Sequence, residues 1–340
     1  MVMLENLGTT GDRRFQNPAA LAPPSSGRHM HPPGGTPTFR PLFRGNAVGL
    51  FDWRCPGCDT PEHEEEYNDA YEVVVVRQGA FVREVNGSPA FIPAGTLTFA
   101  APGEVHRIRH PVPGGDACSV FRASADSIRE IQGALDPSQS DAQHPRLPLP
   151  QAPLGGREYL LHRLAMRAAT TGADPVEQEE SAIWFLYAAL AYARARSNGG
   201  AGRTPRLTGA AWSRALEYTA RVHEVLGRGF QEQLTLAQIG RAVHCSPFHL
   251  SRLVTSVTGL PIHRLLVRHR LRHALERVLD SRESLSAIAF STGFSSHSHL
   301  TDAFRREFGC TPDLIRRRSP PGLRTVLGYG ARTFGFCGVS

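Results

Sequence analysis

The spacing of apolar residues changes character along the chain. Between 46 and 125 they come in short runs and alternations of strand length. Tyr71-Glu72-Val73-Val74-Val75-Val76 is a β-branched run; Phe81-Val82-Arg83-Glu84-Val85 follows Gly79, and Phe91-Ile92 and Thr96-Leu97-Thr98-Phe99 continue the series. Asn86-Gly87 between two such runs predicts a tight hairpin, because both residue types tolerate the positive φ of a two-residue turn. His106 to His110 and Cys118 to Phe121 read as further short strands. Many short strands at this spacing predict a barrel or sandwich.

Past 156 the period lengthens to that of a helix. Leu160, Leu161, Leu164 and Ala168 share one face of a helix at 157–170, and Ile183, Phe185, Leu186 and Leu190 lie in a second over 176–196, opened by Asp174-Pro175. Residues 206–318 are helical in pattern almost throughout. A short helix at 234–243, with Leu236, Ile239 and Val243 expected inside, runs into a turn at His244-Cys245. Ser246 as N-cap and Pro247 at the first helical position start the next helix, and Gly259 stops it. Leu250, Leu253, Val254 and Val257 form its inner side; Phe248, His249, Ser251, Arg252 and Thr255 lie opposite. Two short helices, a tight turn and a polar outer face describe a helix-turn-helix.

The unit recurs. Leu285 to Phe290 is a short helix, Ser291-Thr292-Gly293-Phe294 the turn, and Ser295 or Ser296 the cap of a helix that buries Leu300, Phe304 and Phe308 and stops at Gly309. His297, Ser298, Thr301, Asp302 and Arg305 face outward. Between the units runs an amphipathic helix over 262–280, carrying Arg264, Arg268, Arg270, Arg272 and Arg277. Elements held at a fixed separation by such a rod suit adjacent major grooves of a duplex, roughly 34 Å apart.

Composition sharpens this division. All 38 basic residues are Arg, and the formal charge is +7. From Arg203 to Arg332 there are 20 Arg against 9 acidic residues, while the rest of the chain is slightly acidic. A basic C-terminal third points to a polyanionic partner. No run reaches the ~18 apolar residues of a membrane span, and no secretion signal is read at the N-terminus. The six cysteines, Cys55, Cys58, Cys118, Cys245, Cys310 and Cys337, are spread thinly and read as reduced thiols of a cytoplasmic protein. The expected divisions are a disordered tail at 1–45, a strand-rich domain at 46–133 and a Pro-rich linker at 134–155. A helical segment at 156–198, for dimerisation or for packing on the strands, follows. After a Gly-rich linker at 199–205 come the helical domain at 206–318 and a C-terminal tail at 319–340.

Four stretches in order carry a resemblance: Ser246-Pro247-Phe248-His249-Leu250-Ser251-Arg252-Leu253, Thr258-Gly259-Leu260-Pro261, Ile288-Ala289-Phe290-Ser291-Thr292-Gly293-Phe294, and Ala303 through Pro312. Residues 206–318 resemble the DNA-binding domain of the AraC/XylS family of bacterial transcription regulators. The resemblance implies a sequence-specific regulator of double-stranded DNA, usually an activator, working with RNA polymerase in the cytoplasm at the nucleoid. It implies a homodimer whose N-terminal half senses a small-molecule effector, with no enzymatic activity and no cofactor. The family's base-reading surface falls on Phe248, His249, Ser251 and Arg252, and on His297, Ser298, Thr301 and Asp302, with Thr255 and Arg305 alongside. Asp302 departs from the pattern, since many relatives have Arg there. A carboxylate is repelled by phosphates, though it accepts from a cytosine amino group.

The strand-rich segment resembles, less specifically, the cupin-like half of the same regulators, so the expected fold is α+β: a cupin-like β-barrel with accessory helices, then an all-α domain. Glu72 and Gly79 keep one metal-cupin spacing and 102–106 resembles a second motif, but the His-x-His is replaced by Glu64-Glu65-Glu66-Tyr67-Asn68. An iron site of two His and a carboxylate is therefore not expected. Glu72, His106, Arg107 and Arg109 are the candidates for holding an effector, although alternating polar residues also suit the wet face of a strand. Cys55-Pro56-Gly57-Cys58 with His63 admits three readings. Zinc would need Cys55, Cys58, His63 and a distant fourth ligand such as His106 or Cys118; a disulfide would make a redox sensor; packed loop residues would bind nothing. The last is adopted, and no metal is expected.

Overall fold

The computed structural model describes residues 37–57, 65–110, 114–140, 144–198 and 209–318, with a few positions beyond 318. Cys58, His63 and Cys337 lie outside them. The N-terminal half is an antiparallel sheet: β1 (Thr38–Arg44), β2 (Val48–Cys55), β3 (Glu66–Tyr67), β4 (Tyr71–Val85), β5 (Ser88–Pro93), β6 (Thr96–Ala100), β7 (Val105–Arg109), β8 (Asp116–Ala123) and β9 (Gln151–Pro153). The order is β1-β2-β8-β4-β6-β9. β4 spans 15 residues. Its first half pairs with β6 and β8, its second half with β5 and β7, so one long strand serves two layers. The predicted hairpin joins β4 to β5, with Asn86 and Gly87 at φ 50° and 73°.

The run Val73 to Val76 has a simple explanation in this layering. Side chains alternate across a strand. Val73 and Val75 face one core with Leu50, Leu97, Phe99 and Phe121, while Val76 faces another with Phe51, Phe81, Ile92 and Val120. A strand covered on both sides has no polar face to show.

The expected closed barrel is not what forms. β1 pairs with β2 and β9 with β6, and these two edges do not pair with each other. The physical reason lies in what covers the first face. Apolar residues of three helices, α1 (Ala125–Leu135), α2 (Gly156–Thr170) and α3 (Pro175–Asn198), fill it, including Ile128, Ile131, Leu160, Leu164, Phe185 and Leu190. These helices bury the apolar face that further strands would otherwise have to cover. Two of the edge strands also fall where no element was expected: β1 within the predicted tail and β9 within the predicted linker. β1 carries Pro41 within it, and β9 is three residues ending in Pro153, which hides strand periodicity.

The C-terminal half is helical: α4 (Gly209–Gly229), α5 (Leu236–Ala242), α6 (Pro247–Thr258), α7 (Ile262–Asp280), α8 (Leu285–Ser291), α9 (His297–Phe308) and α10 (Pro312–Arg317). Around α4, α5, α6 and the start of α7 lies a small core of Val222, Leu226, Phe230, Ile239, Val243, Leu250, Val254, Leu265 and Leu266. Leu236, expected inside, is 39% exposed, because α5 is only two turns long and its first residue overhangs that core. The rest of α7 with α8, α9 and α10 packs into the main core. Leu271, Leu275, Ile288, Leu300, Phe304 and Phe308 are continuous there with the sheet and with α2 and α3.

Candidate nucleic-acid interface

The two helix-turn-helix units are built by the same local signals. Thr235 and Gln238 form a reciprocal capping box at α5. Ser246 Oγ accepts the His249 N–H at 3.3 Å to open α6, and Ser296 Oγ accepts the His299 N–H at 3.1 Å to open α9. Of the two serines expected at that cap, it is Ser296 that serves. Gly259 and Gly309 close the second helices in the left-handed conformation. Each turn is tied by one long-reach bond at 2.9 Å, from Cys245 N–H to the Gly240 carbonyl and from Phe294 N–H to the Ala289 carbonyl. The turn needs a residue at positive φ. Gly293 supplies it in the second unit at 83°, whereas His244 takes it at 56° in the first.

α8 lies 49 positions after α5, and α9 lies 50 after α6. With that shift Arg252 corresponds to Asp302, Ser251 to Thr301 and Thr255 to Arg305. Phe248, His249, Arg252 and Thr255 are exposed on α6, and His297, Ser298, Asp302 and Arg305 on α9; Ser251 and Thr301 are half-buried at the edges of these faces. Phe248 is 74% exposed, with the Arg252 guanidinium 5.7 Å from its ring centroid. An aromatic and a guanidinium held together in solvent form a flat, cationic surface of the kind that meets bases and phosphates. Asp302 instead stands 4.0 Å from Arg305, so part of the cationic character of α9 is offset within the helix. Phe290, 64% exposed on α8, is a second outward aromatic that the sequence pattern did not distinguish from a core residue.

The rod between the units is 19 residues, about 28 Å at 1.5 Å per residue, comparable with the groove spacing. Its arginines are mostly engaged within the protein. Arg270 donates to the Phe230 and Glu232 carbonyls, both at 2.7 Å. Arg272 lies 4.9 Å over the Tyr159 ring, Arg268 faces Glu307 at 3.5 Å, and Arg277 pairs with Glu283. Among the five, Arg264 is exposed. The amphipathic pattern showed which face is polar, but not that its cations are spent on structure.

The N-terminal candidates separate into two groups. Glu72 faces Arg122 across β4 and β8, 3.2 Å from its Nε, and Arg122 is fully buried and also pairs with Asp69. Burial pushes the Glu72 carboxyl up, partly offset by Arg122. His106 approaches Glu66 at 3.5 Å, and its Nδ1 is buried without a hydrogen-bond partner. Arg83 pairs with Glu104 and also belongs to this interior polar patch. Arg107 and Arg109 lie on the wet face of β7, where Arg107 meets Glu65 at 2.8 Å. Glu72 and His106 are thus brought to one patch, and the two arginines are not. Cys55 lies beside His110 and Asp116 rather than beside His106.

Residues 239–318 match the family model described as "Helix-turn-helix domain". The chain is 28% identical over 279 residues to the HTH-type transcriptional activator RhaS of Escherichia fergusonii, covering 80% of this chain and 92% of that protein. It is 26% identical over 280 residues to RhaS of Escherichia coli, covering 80% and 93%. The crystal structure of the DNA-binding domain of AdpA in complex with a target DNA is similar at 25% identity over 29% of this chain and 89% of that one, with a TM-score of 0.28. Two capped helix-turn-helix units on one rod, with these sequence matches, define a DNA-binding transcription regulator. Residues 239–318 thus form an AraC-type helix-turn-helix domain, in a chain similar to the RhaS transcriptional activators over most of its length.

Proposed function

We propose that this regulator reads a specific operator by seating α6 and α9 in successive major grooves of one duplex, and that it activates transcription through contact with RNA polymerase. The observation that carries the reading is the pair of outward polar faces, Phe248-His249-Arg252-Thr255 and His297-Ser298-Asp302-Arg305, on second helices that share one rod. Activation is supported by the name of the RhaS relatives. Arg252 forks onto guanine O6 and N7, and the remaining exposed arginines of the domain contact phosphates, so that affinity falls steeply with salt. Two copies bind paired half-sites, as two-fold regulators do. The apolar sides of α2 and α3 are filled by the chain itself, so the dimer forms through another surface.

The N-terminal domain acts as the effector sensor, with the patch around Glu72, His106, Arg83 and Arg122 as the recognition site for a small polar molecule. Buried polar atoms there lacking partners, His106 Nδ1, Asn68 Nδ2 and Arg122 Nη1, support this, since such atoms are normally satisfied. Such a ligand shifts DNA binding only as far as it prefers one arrangement of the two halves. The regulator works in the cytoplasm and without a catalytic step. Among the described residues no helix is long and apolar enough to cross a membrane.

The test is a titration of selected operator DNA with the parent and Arg252→Ala. The substitution is expected to cost about 1–3 kcal/mol and to relax preference at one base pair. Unchanged affinity together with unchanged preference would dismiss the assignment.

A further inference from the structure

One cluster of metal-binding side chains lies outside both the DNA-facing surface and the polar patch. Cys55, His110 and Asp116 each present a donor atom within 4.8 Å of the other two. Cys55 ends β2 directly opposite Asp116 at the start of β8. Cys118, two residues further along β8 and so on the same face, brings its thiol within 3.1 Å of Asp116 Oδ2. His110 Nε2 lies 2.7 Å from Asp116 Oδ1, and its Nδ1 is buried without a hydrogen-bond partner. The side chains of His110 and Asp116 are 4% and 3% exposed, and Cys55 and Cys118 are buried thiols.

The backbone around the cluster is drawn in tightly. A Cβ on Gly115 would fall 1.9 Å from the Cys55 carbonyl oxygen, and one on Gly79 would fall 1.9 Å from the Gly115 carbonyl oxygen. Only glycine permits these approaches, which press the end of β2, the middle of β4 and the start of β8 together beside the cluster. Arg77 donates to the Cys118 carbonyl at 2.9 Å and pairs with Asp52, placing a cation beside the cluster.

We propose that Cys55, His110, Asp116 and Cys118 form a zinc site. Two thiolates, an imidazole and a carboxylate are a tetrahedral zinc donor set; thiolates and imidazole disfavour magnesium and calcium. Donors bonded at about 2.0–2.3 Å stand roughly 3.3–3.8 Å apart in a tetrahedron; Cys55, His110 and Asp116 already lie together, and the Cys118 thiol, now on Asp116, swings inward to complete the shell. Both cysteines bind as thiolates, and their two protons leave to water as the metal enters. The ion ties the exit of β7 to the ends of β2 and β8, stapling the two layers of a sheet that does not close on itself. This site uses neither His63 nor His106, and it replaces the expectation that no metal is bound. It stands or falls apart from the DNA-binding reading.

The experiment is elemental analysis of the full-length, untagged, reduced protein after incubation with zinc sulfate and gel filtration. One zinc per chain is expected, and cobalt(II) in its place is expected to give a sulfur-to-cobalt charge-transfer band with the intense visible bands of a tetrahedral ion. Cys55→Ser and Cys118→Ser should each abolish that band's parent intensity and weaken zinc affinity by at least about tenfold. Asp116→Asn, nearly isosteric, guards against a folding defect: its far-ultraviolet circular dichroism should match the parent while its zinc affinity falls. A reduced parent protein that retains no zinc overturns the proposal. Full zinc stoichiometry retained by folded Cys55→Ser or Cys118→Ser overturns it equally, as would a site that depends on Cys58 instead.

Discussion

The first and second helix-turn-helix units share caps, turn and length, yet are held by different partners. The first closes a small core of its own and touches the sheet domain along α4, where Leu216 and Ala220 meet Ala80, Val82 and Phe91. The second has no separate core. Phe304 and Phe308 pack in the same cluster as the sheet, and α2 is bound to the rod: Tyr159 Oη donates to Glu276 at 3.1 Å, and Arg163 pairs with Asp280 at 3.0 Å. A helix-turn-helix therefore need not be an independent module. Its reading face is set by local caps, while its stability is supplied by whatever covers the other side.

Emptying each core in turn separates the two units. Phe304→Ala should cost about 3–5 kcal/mol and lower the unfolding transition of the sheet domain together with that of the second unit. Leu250→Ala, costing about 2–5 kcal/mol, should loosen the first unit and leave the sheet transition in place. Denaturant melts followed by fluorescence, with Trp184 in α3 and Trp212 in α4 as reporters in single-tryptophan variants, separate the two. Coincident loss in Leu250→Ala would show one undivided core.

Acid should weaken the first unit next. His223 on α4 and His269 on α7, ring centroids 5.9 Å apart, are pushed by burial down to about 4 and about 3. They are neutral in the fold, while the unfolded chain takes up protons below its ordinary value near 6.5. The unfolded state then binds more protons, so stability is whole above pH 6.5 and drains as pH falls toward 4, at up to about 1.4 kcal/mol per unit for each group. Imidazole resonances that stay neutral to about pH 4 would bear this out, and titration near 6.5 would refute it. In the shared core His162 is pushed down by burial as well, with the same sign.

The smallest effect concerns the exchange of Arg252 for Asp302 at corresponding positions. Asp302→Asn removes a carboxylate 4.0 Å from Arg305 and should tighten non-specific DNA binding by a few tenths to about 1 kcal/mol at low salt, fading as salt is raised. Loss of a preference for cytosine at one operator position, measured across an operator library, would instead identify Asp302 as a base reader.

Much of this protein was determined by its sequence alone, because the signals involved are local. Ser246-Pro247, the second-unit serine cap, Gly259, Gly309 and Asn86-Gly87 act through their own backbone within a turn, and the period of apolar residues needs only the neighbouring turns or pleats. The tertiary structure decided what depends on contacts distant along the chain. Helices rather than a strand cover the open sheet, arginines of α7 are spent on Phe230, Glu232 and Tyr159, and Leu236 lies outside a core too small to reach it. It also brought Cys55 to His110 and Asp116, more than 50 positions away. Strand pairing register sets such a meeting, and register is a property of the whole sheet rather than of any segment.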